Sequence, residues 1–366
     1  MRILHWAESF LPRIGGGEVF IHQLAGALQL HGHRCAIITN QVDNLPTYEQ
    51  IDQLDVYRFP FTAALAGRDL RLIIRLATEV QALTCAWQPD ILHLHTVQPS
   101  AFFFLRLQKA IKRPYVYTTH DPLMGHPDQN SLWMQIISST TNVVAVSQTM
   151  RDQVISAVPS AISKTRVILN ALSMPADAPT SISFHPPSLF CAARLFQTKG
   201  LDVLLRSLPA VQMQFPEVTA VIAGDGPIRA ALQDLSRELG ISHAVRFTGW
   251  IAPQQIPAEI NHVTLVMAPS LQEESFGLIL LQAMQMARPV IASRVGGMTE
   301  VVQHEQTGWL VPPGDISALS TAIVRMLQDP VRAAQFGKQG RERAQTIFSW
   351  ERCLTEYERL YQQMVA

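Results

Sequence analysis

Cysteine is scarce in this chain: four in 366 residues, Cys35, Cys85, Cys191 and Cys353, with no C-x-x-C pair. That argues against a disulfide framework or a cysteine-based zinc site and points to buried free thiols in a reducing compartment. An excess of either charge is also missing. The 29 Lys and Arg balance 29 Asp and Glu, so nothing suggests nucleic acid or a strongly acidic partner. No stretch reaches the roughly 18 consecutive apolar residues that span a bilayer. The start, Met-Arg-Ile-Leu-His-Trp-Ala-Glu, is unlike a signal peptide because Glu8 cuts the apolar run. A cytoplasmic protein is the expectation. The G-x-G-x-x-G spacing is absent too. Gly15-Gly16-Gly17-Glu18-Val19-Phe20 lacks it, and no strand-end acid follows at the ribose distance, so a dinucleotide site is poorly supported.

What is present is a strand-then-helix alternation, run twice over a length comfortable for two domains. Ile3–Ala7, Cys35–Thr39, Asp90–His95, Tyr115–Thr118, Val143–Val146 and Val167–Asn170 read as short strands. Helical stretches such as Val19–Gln29 and Asp69–Ala86 separate them, which implies parallel βαβ units with both sheet faces covered. Residues 173–187, rich in Pro, Ser and Ala without periodicity, read as a linker. The alternation restarts at Ser188–Ala193 and continues through Thr219–Gly224, Val245–Thr248, Thr264–Ala268, Val290–Ser293 and Trp309–Val311. The expected division is a first domain over 1–172, the linker 173–187, a second domain over 188–346, and an amphipathic tail over 347–366.

Ligands of such sheets bind beyond the carboxyl ends of the strands, and the polar motifs fall there. Pro269-Ser-Leu-Gln-Glu-Glu-Ser-Phe-Gly-Leu reads as a strand end, an acidic loop and the mouth of an apolar helix. Glu274 lies at that mouth, and Phe276 and Gly277 open the first turn, where unpartnered backbone N–H groups suit a phosphate. Gln282 stands about 12 Å further along at the usual rise per residue, roughly the span from the sugar to the ribose of a nucleotide diphosphate sugar. Arg194 ends one strand and Lys199-Gly200 opens the next helix. Together they are either two solvated cations or a metal-free cradle for a departing diphosphate. Gly224-Asp225-Gly226-Pro227 is either a plain strand-to-helix turn or a close backbone approach to a ligand. Trp250, in Thr248-Gly249-Trp250-Ile251, is either a core aromatic or a nucleobase neighbour. His120, in Thr118-Thr119-His120-Asp121, is either a hydrogen-bonded structural histidine or a reactive one.

These blocks, in this order and spacing, resemble the retaining, nucleotide-sugar-dependent glycosyltransferases of family four (glycosyl transferases group 1), across nearly the whole chain. The signature is E-x7-E, with Gln282 here in place of the second acid. Gly296-Gly297-Met298-Thr299-Glu300 and Thr307-Gly308-Trp309-Leu310-Val311-Pro312-Pro313 match further blocks. Asn170-Ala171-Leu172-Ser173 departs from the family's Asn-Gly-Val-Asp, and Ala287-Arg288 replaces its usual Gly. The resemblance implies an α/β GT-B fold, two Rossmann-like domains facing a central cleft with the C-terminal helix crossing back to the first. It implies catalytic roles for His120, Arg194, Lys199 and Glu274. Donor contacts follow at Gly16, Gly17, Gly224, Gly226, Trp250, Ile251, Phe276, Gly277, Leu278 and Gln282, and acceptor contacts at Glu18 and Asp121, with His126 nearby. The Gly296–Gly297 amides would reach the phosphates or sugar.

The implied activity is transfer of a sugar from a UDP-, GDP- or ADP-type donor to the hydroxyl of a small-molecule, glycan or lipid acceptor. No metal and no cofactor is expected, the nucleotide sugar being a co-substrate. Two rivals stay open: a nucleotide-sugar epimerase of the same fold, and a non-catalytic sugar-nucleotide-binding protein. The basic, aromatic stretch Ala101–Arg113 is either a helix packed on the sheet, the favoured reading, or a peripheral membrane contact.

Overall fold

The computed structural model describes residues 1–13, 15–42, 44–123, 128 and 130–366. Its chain divides into two compact units, Met1–Asn170 with Glu351–Ala366, and Ala171–Trp350. The first unit holds an eight-stranded sheet: β1 (Arg2–Ala7), β2 (Arg34–Asn40), β3 (Tyr48–Ile51), β4 (Leu54–Phe59), β5 (Ile91–Leu94), β6 (Tyr115–Thr119), β7 (Asn142–Ala145) and β8 (Thr165–Val167). Their order is β3-β4-β2-β1-β5-β6-β7-β8, all parallel except the β3–β4 pair. The strands β1, β2, β5 and β6 are buried almost throughout, as the continuous apolar runs of a parallel sheet covered on both faces require. Helix Ala101–Ile111 buries Phe103, Phe104 and Leu107 in the core that includes Trp6, Leu92 and Tyr115, the sheet-packing arrangement.

The antiparallel edge was not expected from the sequence. It is a two-residue hairpin in which Ile51 pairs with Leu54, and the turn residues Asp52 and Gln53 both have positive φ, 48° and 68°. Asn-Gly or Asp-Gly is the usual signal for such a turn, and Asp-Gln does not give it. The last strand is also shorter than Val167–Asn170 and lies earlier, at Thr165–Val167.

The second unit is a six-stranded all-parallel sheet: β9 (Ser188–Ala192), β10 (Thr219–Ala223), β11 (Val245–Gly249), β12 (Leu265–Ala268), β13 (Val290–Ser293) and β14 (Gly308–Val311). The order β11-β10-β9-β12-β13-β14 reverses direction between β9 and β12, which places the switch point beside the Arg194 and Glu274 loops. Residues 173–187 do not hang free. Arg288, fully buried, donates to the carbonyls of Thr180, Val263 and Asn261, and Asn261 Nδ2 donates to Ala178 O, so the stretch is tied to this unit.

Of the four cysteines, Cys35, Cys191 and Cys353 are buried, but Cys85 is exposed on helix Leu70–Trp87. The expectation of four buried thiols fails there because the polar face of that amphipathic helix carries it. No described helix is long and apolar enough to cross a membrane.

Candidate active site

In the second unit three loops meet at the carboxyl ends of β9, β12 and β13. Lys199 follows β9, and its Nζ lies 2.5 Å from Glu274 Oε1 in the loop after β12. Ser270 Oγ donates to the same carboxylate oxygen at 2.7 Å. Both charged side chains are about one-fifth exposed, 23% for Lys199 and 20% for Glu274. Arg194 is exposed, lies over the Phe196 ring at 5.6 Å, and has no ion pair among the described residues.

Glycines make the close approach of these loops possible. Gly200 has φ +64°, and a Cβ there would sit 2.0 Å from the Pro269 carbonyl oxygen. A Cβ on Gly297 would sit 2.2 Å from Ser275 O, and the Gly297 N–H donates to Glu274 O at 2.7 Å. That corrects the expected role of Gly297, one of the glycine pair. The Gly297 amide is committed to holding the acidic loop and is not free for a phosphate.

The helix after the acidic loop runs Leu278–Gln285, with Gly277 as its N-cap at φ +94°. Phe276 therefore precedes the first turn, and its ring is buried edge-on against Phe348 at 5.4 Å, so only its backbone faces the loop chemistry. The amides of Gly277, Leu278 and Ile279 have no hydrogen-bond acceptor among the described residues, the arrangement that suits an anion. Gln282 is half-buried on this helix, with no side-chain hydrogen bond among the described residues. Gly224 and Gly226 follow β10 and pack on the backbone of Ala193 and Leu195. Gly226 N–H donates to Asp225 Oδ1. Trp250, just past β11, is 56% exposed, which rules out the core-aromatic alternative. Ile251 beside it is half-buried.

In the first unit, Gly16 and Gly17 belong to the first turn of helix Gly16–Leu30 rather than to a loop. Glu18, in the same turn, accepts a hydrogen bond from Ser9 Oγ. His120 stands one residue beyond β6 and is 9% exposed, its ring 5.4 Å from Phe20. Burial pushes its pKa down to about 4, so near neutrality it is an uncharged imidazole. His120 Nε2 lies 3.2 Å from Nδ1 of the fully buried His95. Asp121 next to it is exposed, and His126 lies outside the described residues.

Ser270, His95 and His5 were missed in the sequence. For His95 a signal existed, since the H-x-H spacing at 93 and 95 points both side chains to one face of a strand. Nothing local marks Ser270.

Residues 179–343 match the family described as Glycosyl transferases group 1, and residues 14–174 match Glycosyltransferase Family 4. The chain is 26% identical to an uncharacterized glycosyltransferase of Methanocaldococcus jannaschii, over 99% of this chain and 98% of that one. Sucrose-phosphate synthase from Thermosynechococcus elongatus has the same fold, with a TM-score of 0.86 at 23% identity over 99% of this chain and 98% of its own. HepE of Anabaena, solved with UDP and glucose, gives 0.82 at 23% identity over 99% and 100%. Matches over both halves, with two largely parallel Rossmann-like sheets beneath them, show that the chain is a GT-B glycosyltransferase of family 4 with a group 1 C-terminal domain.

Proposed function

We propose that the chain is a retaining glycosyltransferase that takes a sugar from a nucleoside diphosphate donor and passes it to an acceptor hydroxyl without a metal ion. The observation that carries this reading is the grouping of Lys199, Glu274 and the unpartnered Gly277–Ile279 amides at one switch point, with Arg194 beside β9. Breaking the sugar–phosphate bond puts negative charge on the leaving diphosphate. Arg194, Lys199 and the helix-start amides stabilise that charge from fixed positions. Cations and amides thus do the work a divalent ion would otherwise do.

Glu274 accepts hydrogen bonds from donor-sugar hydroxyls, His120 donates to the sugar near the reacting carbon, and Gln282 accepts from the ribose. Trp250 and Ile251 flank the base, Gly16, Gly17, Gly224 and Gly226 line the donor, and Glu18 and Asp121 contact the acceptor. HepE of Anabaena, whose structure holds UDP and glucose, supports a nucleotide-sugar donor, and the base, whether UDP-, GDP- or ADP-type, is what the panel below decides.

The deciding experiment is a calorimetric panel of UDP, GDP, ADP and their sugar conjugates on wild type and Arg194→Ala, followed by turnover of the bound conjugate with and without EDTA. Binding of one nucleotide that weakens in the variant, turnover that survives EDTA, and a product whose anomeric configuration by NMR is the same as the donor's are expected. Failure to bind any nucleotide overturns the proposal. A released, isomerised sugar with no acceptor dependence makes the protein an epimerase instead.

A further inference from the structure

The first sheet gathers histidines that the proposed chemistry does not use directly. Strands β1 and β5 are neighbours with His5 in register with His93, and His95 follows just past β5. His5, His93 and His95 are 0% exposed. Their rings form a stack in which His5 and His95 are 5.2 Å apart at 22°, and His95 and His120 5.4 Å apart at 22°. Hydrogen bonds run along it. His5 Nδ1 lies 2.9 Å from His95 Nε2, and His95 Nδ1 lies 3.2 Å from His120 Nε2.

A neutral imidazole carries one N–H and one lone pair, so a chain of three must point all its protons one way. The inner end decides which. His5 Nε2 is buried and has no partner among the described residues. With protons pointing inward, His5 would bury an unmatched N–H, a situation native proteins almost never tolerate. Pointing outward leaves only a bare lone pair there, which is less costly. His5 Nδ1–H then donates to His95, and His95 Nδ1–H donates to His120 Nε2. His120 is left with its proton on Nδ1, a nitrogen with no partner among the described residues.

We propose that His95, backed by His5, is a positioning residue that fixes His120 as the Nδ1–H tautomer, so that His120 presents an uncharged hydrogen-bond donor to the transferred sugar. This rests on the reading above that His120 contacts that sugar. Burial supports it by keeping the chain uncharged, with His5 held at about 3 and His120 at about 4.

His93 braces the chain from the side. It stacks 3.8 Å from His95, while its nitrogens are held by Tyr361 Oη at 2.7 Å and Thr118 Oγ1 at 2.8 Å. The nitrogens of His5, His93 and His95 also lie close enough to one another to hold a metal ion. Two features argue against a metal there. Both His93 nitrogens are already committed, and among the described residues no carboxylate hydrogen-bonds these histidines to offset a dication in a fully buried setting.

The test is long-range ¹⁵N–¹H correlation on histidine-labelled full-length protein, with steady-state kinetics. In wild type, His120 should show a protonated Nδ1 and a pyridine-like Nε2, and elemental analysis should show no stoichiometric metal. An Nε2–H signal for His120 in wild type overturns the proposal without recourse to any variant, and so does a bound metal. His95→Phe should lose the fixed tautomer and lower kcat by at least about 10-fold while KM for the donor changes little. His95→Gln, whose amide can donate to His120 Nε2, should restore both. An unchanged tautomer and kcat in a folded His95→Phe overturns the proposal. His120→Ala separates the two readings. If it stays active, the role of His120 on the sugar fails. If it is inactive while wild type shows Nε2–H, only the tautomer assignment fails.

Discussion

At the residue scale, the pair between Lys199 and Glu274 sets the state of the site before donor arrives. Ser270 adds a hydrogen bond to the same carboxylate oxygen, so Glu274 is held in place by two donors from two loops. Arg194 is different, since no carboxylate neutralises it among the described residues. Charge-assisted hydrogen bonds contribute about 1.5–3 kcal/mol, so Arg194→Ala should weaken nucleoside diphosphate binding about 10- to 150-fold in calorimetry. A change under about threefold would remove Arg194 from the diphosphate site. Gln282 is the converse case. A neutral amide in place of a carboxylate forfeits charge assistance of about 1 kcal/mol. Gln282→Glu should therefore tighten nucleotide binding about fivefold with little effect on the free sugar. Weaker binding in that variant would mean that Gln282 does not face the ribose. Both residues stood out in the sequence because each sits in a block of fixed spacing. Ser270 did not, because a serine in a loop carries no mark of its partner.

At the element scale, helix Leu278–Gln285 shows how a departure from the usual residue is absorbed. Ala287 stands where glycine is usual, yet the turn keeps the glycine geometry. Ala287 has φ 53°, its N–H donates to Met284 O, and the Arg288 N–H donates to Ala283 O, both at 2.9 Å. That pair of bonds is a Schellman motif closed by an alanine in the left-handed region. An L-residue with a Cβ costs about 1 kcal/mol there, so Ala287→Gly should raise the melting temperature of the second unit. A lower one would show that the Cβ makes a contact outweighing its strain.

The opposite change tests the acidic loop. A Cβ at Gly297 would meet the backbone of Ser275 and Phe276 as well as crowd the bond from its N–H to Glu274 O. Gly297→Ala should displace Glu274 and cut kcat by more than about 10-fold, because misplacing a reacting group by about 1 Å costs on the order of 100-fold. Full activity would mean the loop tolerates the shift. The helix and its glycine neighbours were legible from their local pattern. The use of the Gly297 amide was not, since its acceptor lies 23 residues back in another loop.

At the scale of the whole chain, the C-terminal helix Trp350–Val365 belongs to the first unit although the second unit precedes it. Glu358 accepts from His31 and His33 at 3.0 and 3.2 Å, and Tyr357 and Tyr361 reach Thr118 and His93. The helix thus completes the wall around the buried histidines.

Those histidines make the first unit acid-sensitive. Their ordinary value is 6.5, and burial holds His5 at about 3, His120 at about 4, and His93 and His95 well below normal. Below pH 6.5 the unfolded chain takes up protons that the folded one refuses. Stability is therefore complete above that value and falls as pH drops toward 4. Each histidine contributes a slope of about 1.4 kcal/mol per pH unit once its unfolded form is charged. Urea unfolding at pH 7.5 and 5.5 should show this loss, and His5→Phe should shallow it. Equal stability at both pH values would mean the histidines are solvated.

The sequence by itself determined the two runs of strand and helix, the all-parallel second sheet and the loops that carry the motifs. All of these are written in short-range patterns: apolar runs of strand length, helical periodicity, and glycines where a chain must turn. Only the tertiary structure decided that Lys199 meets Glu274 across 75 residues, that His120 leans on His95, that Trp250 is exposed, and that Tyr357 and Tyr361 of the tail helix reach Thr118 and His93. It also decided the antiparallel edge, where Asp52 and Gln53 adopt positive φ without the glycine that would announce it. Such pairings depend on which strand ends become neighbours, and that is fixed when the sheets assemble and bury their faces, not by any local stretch of chain.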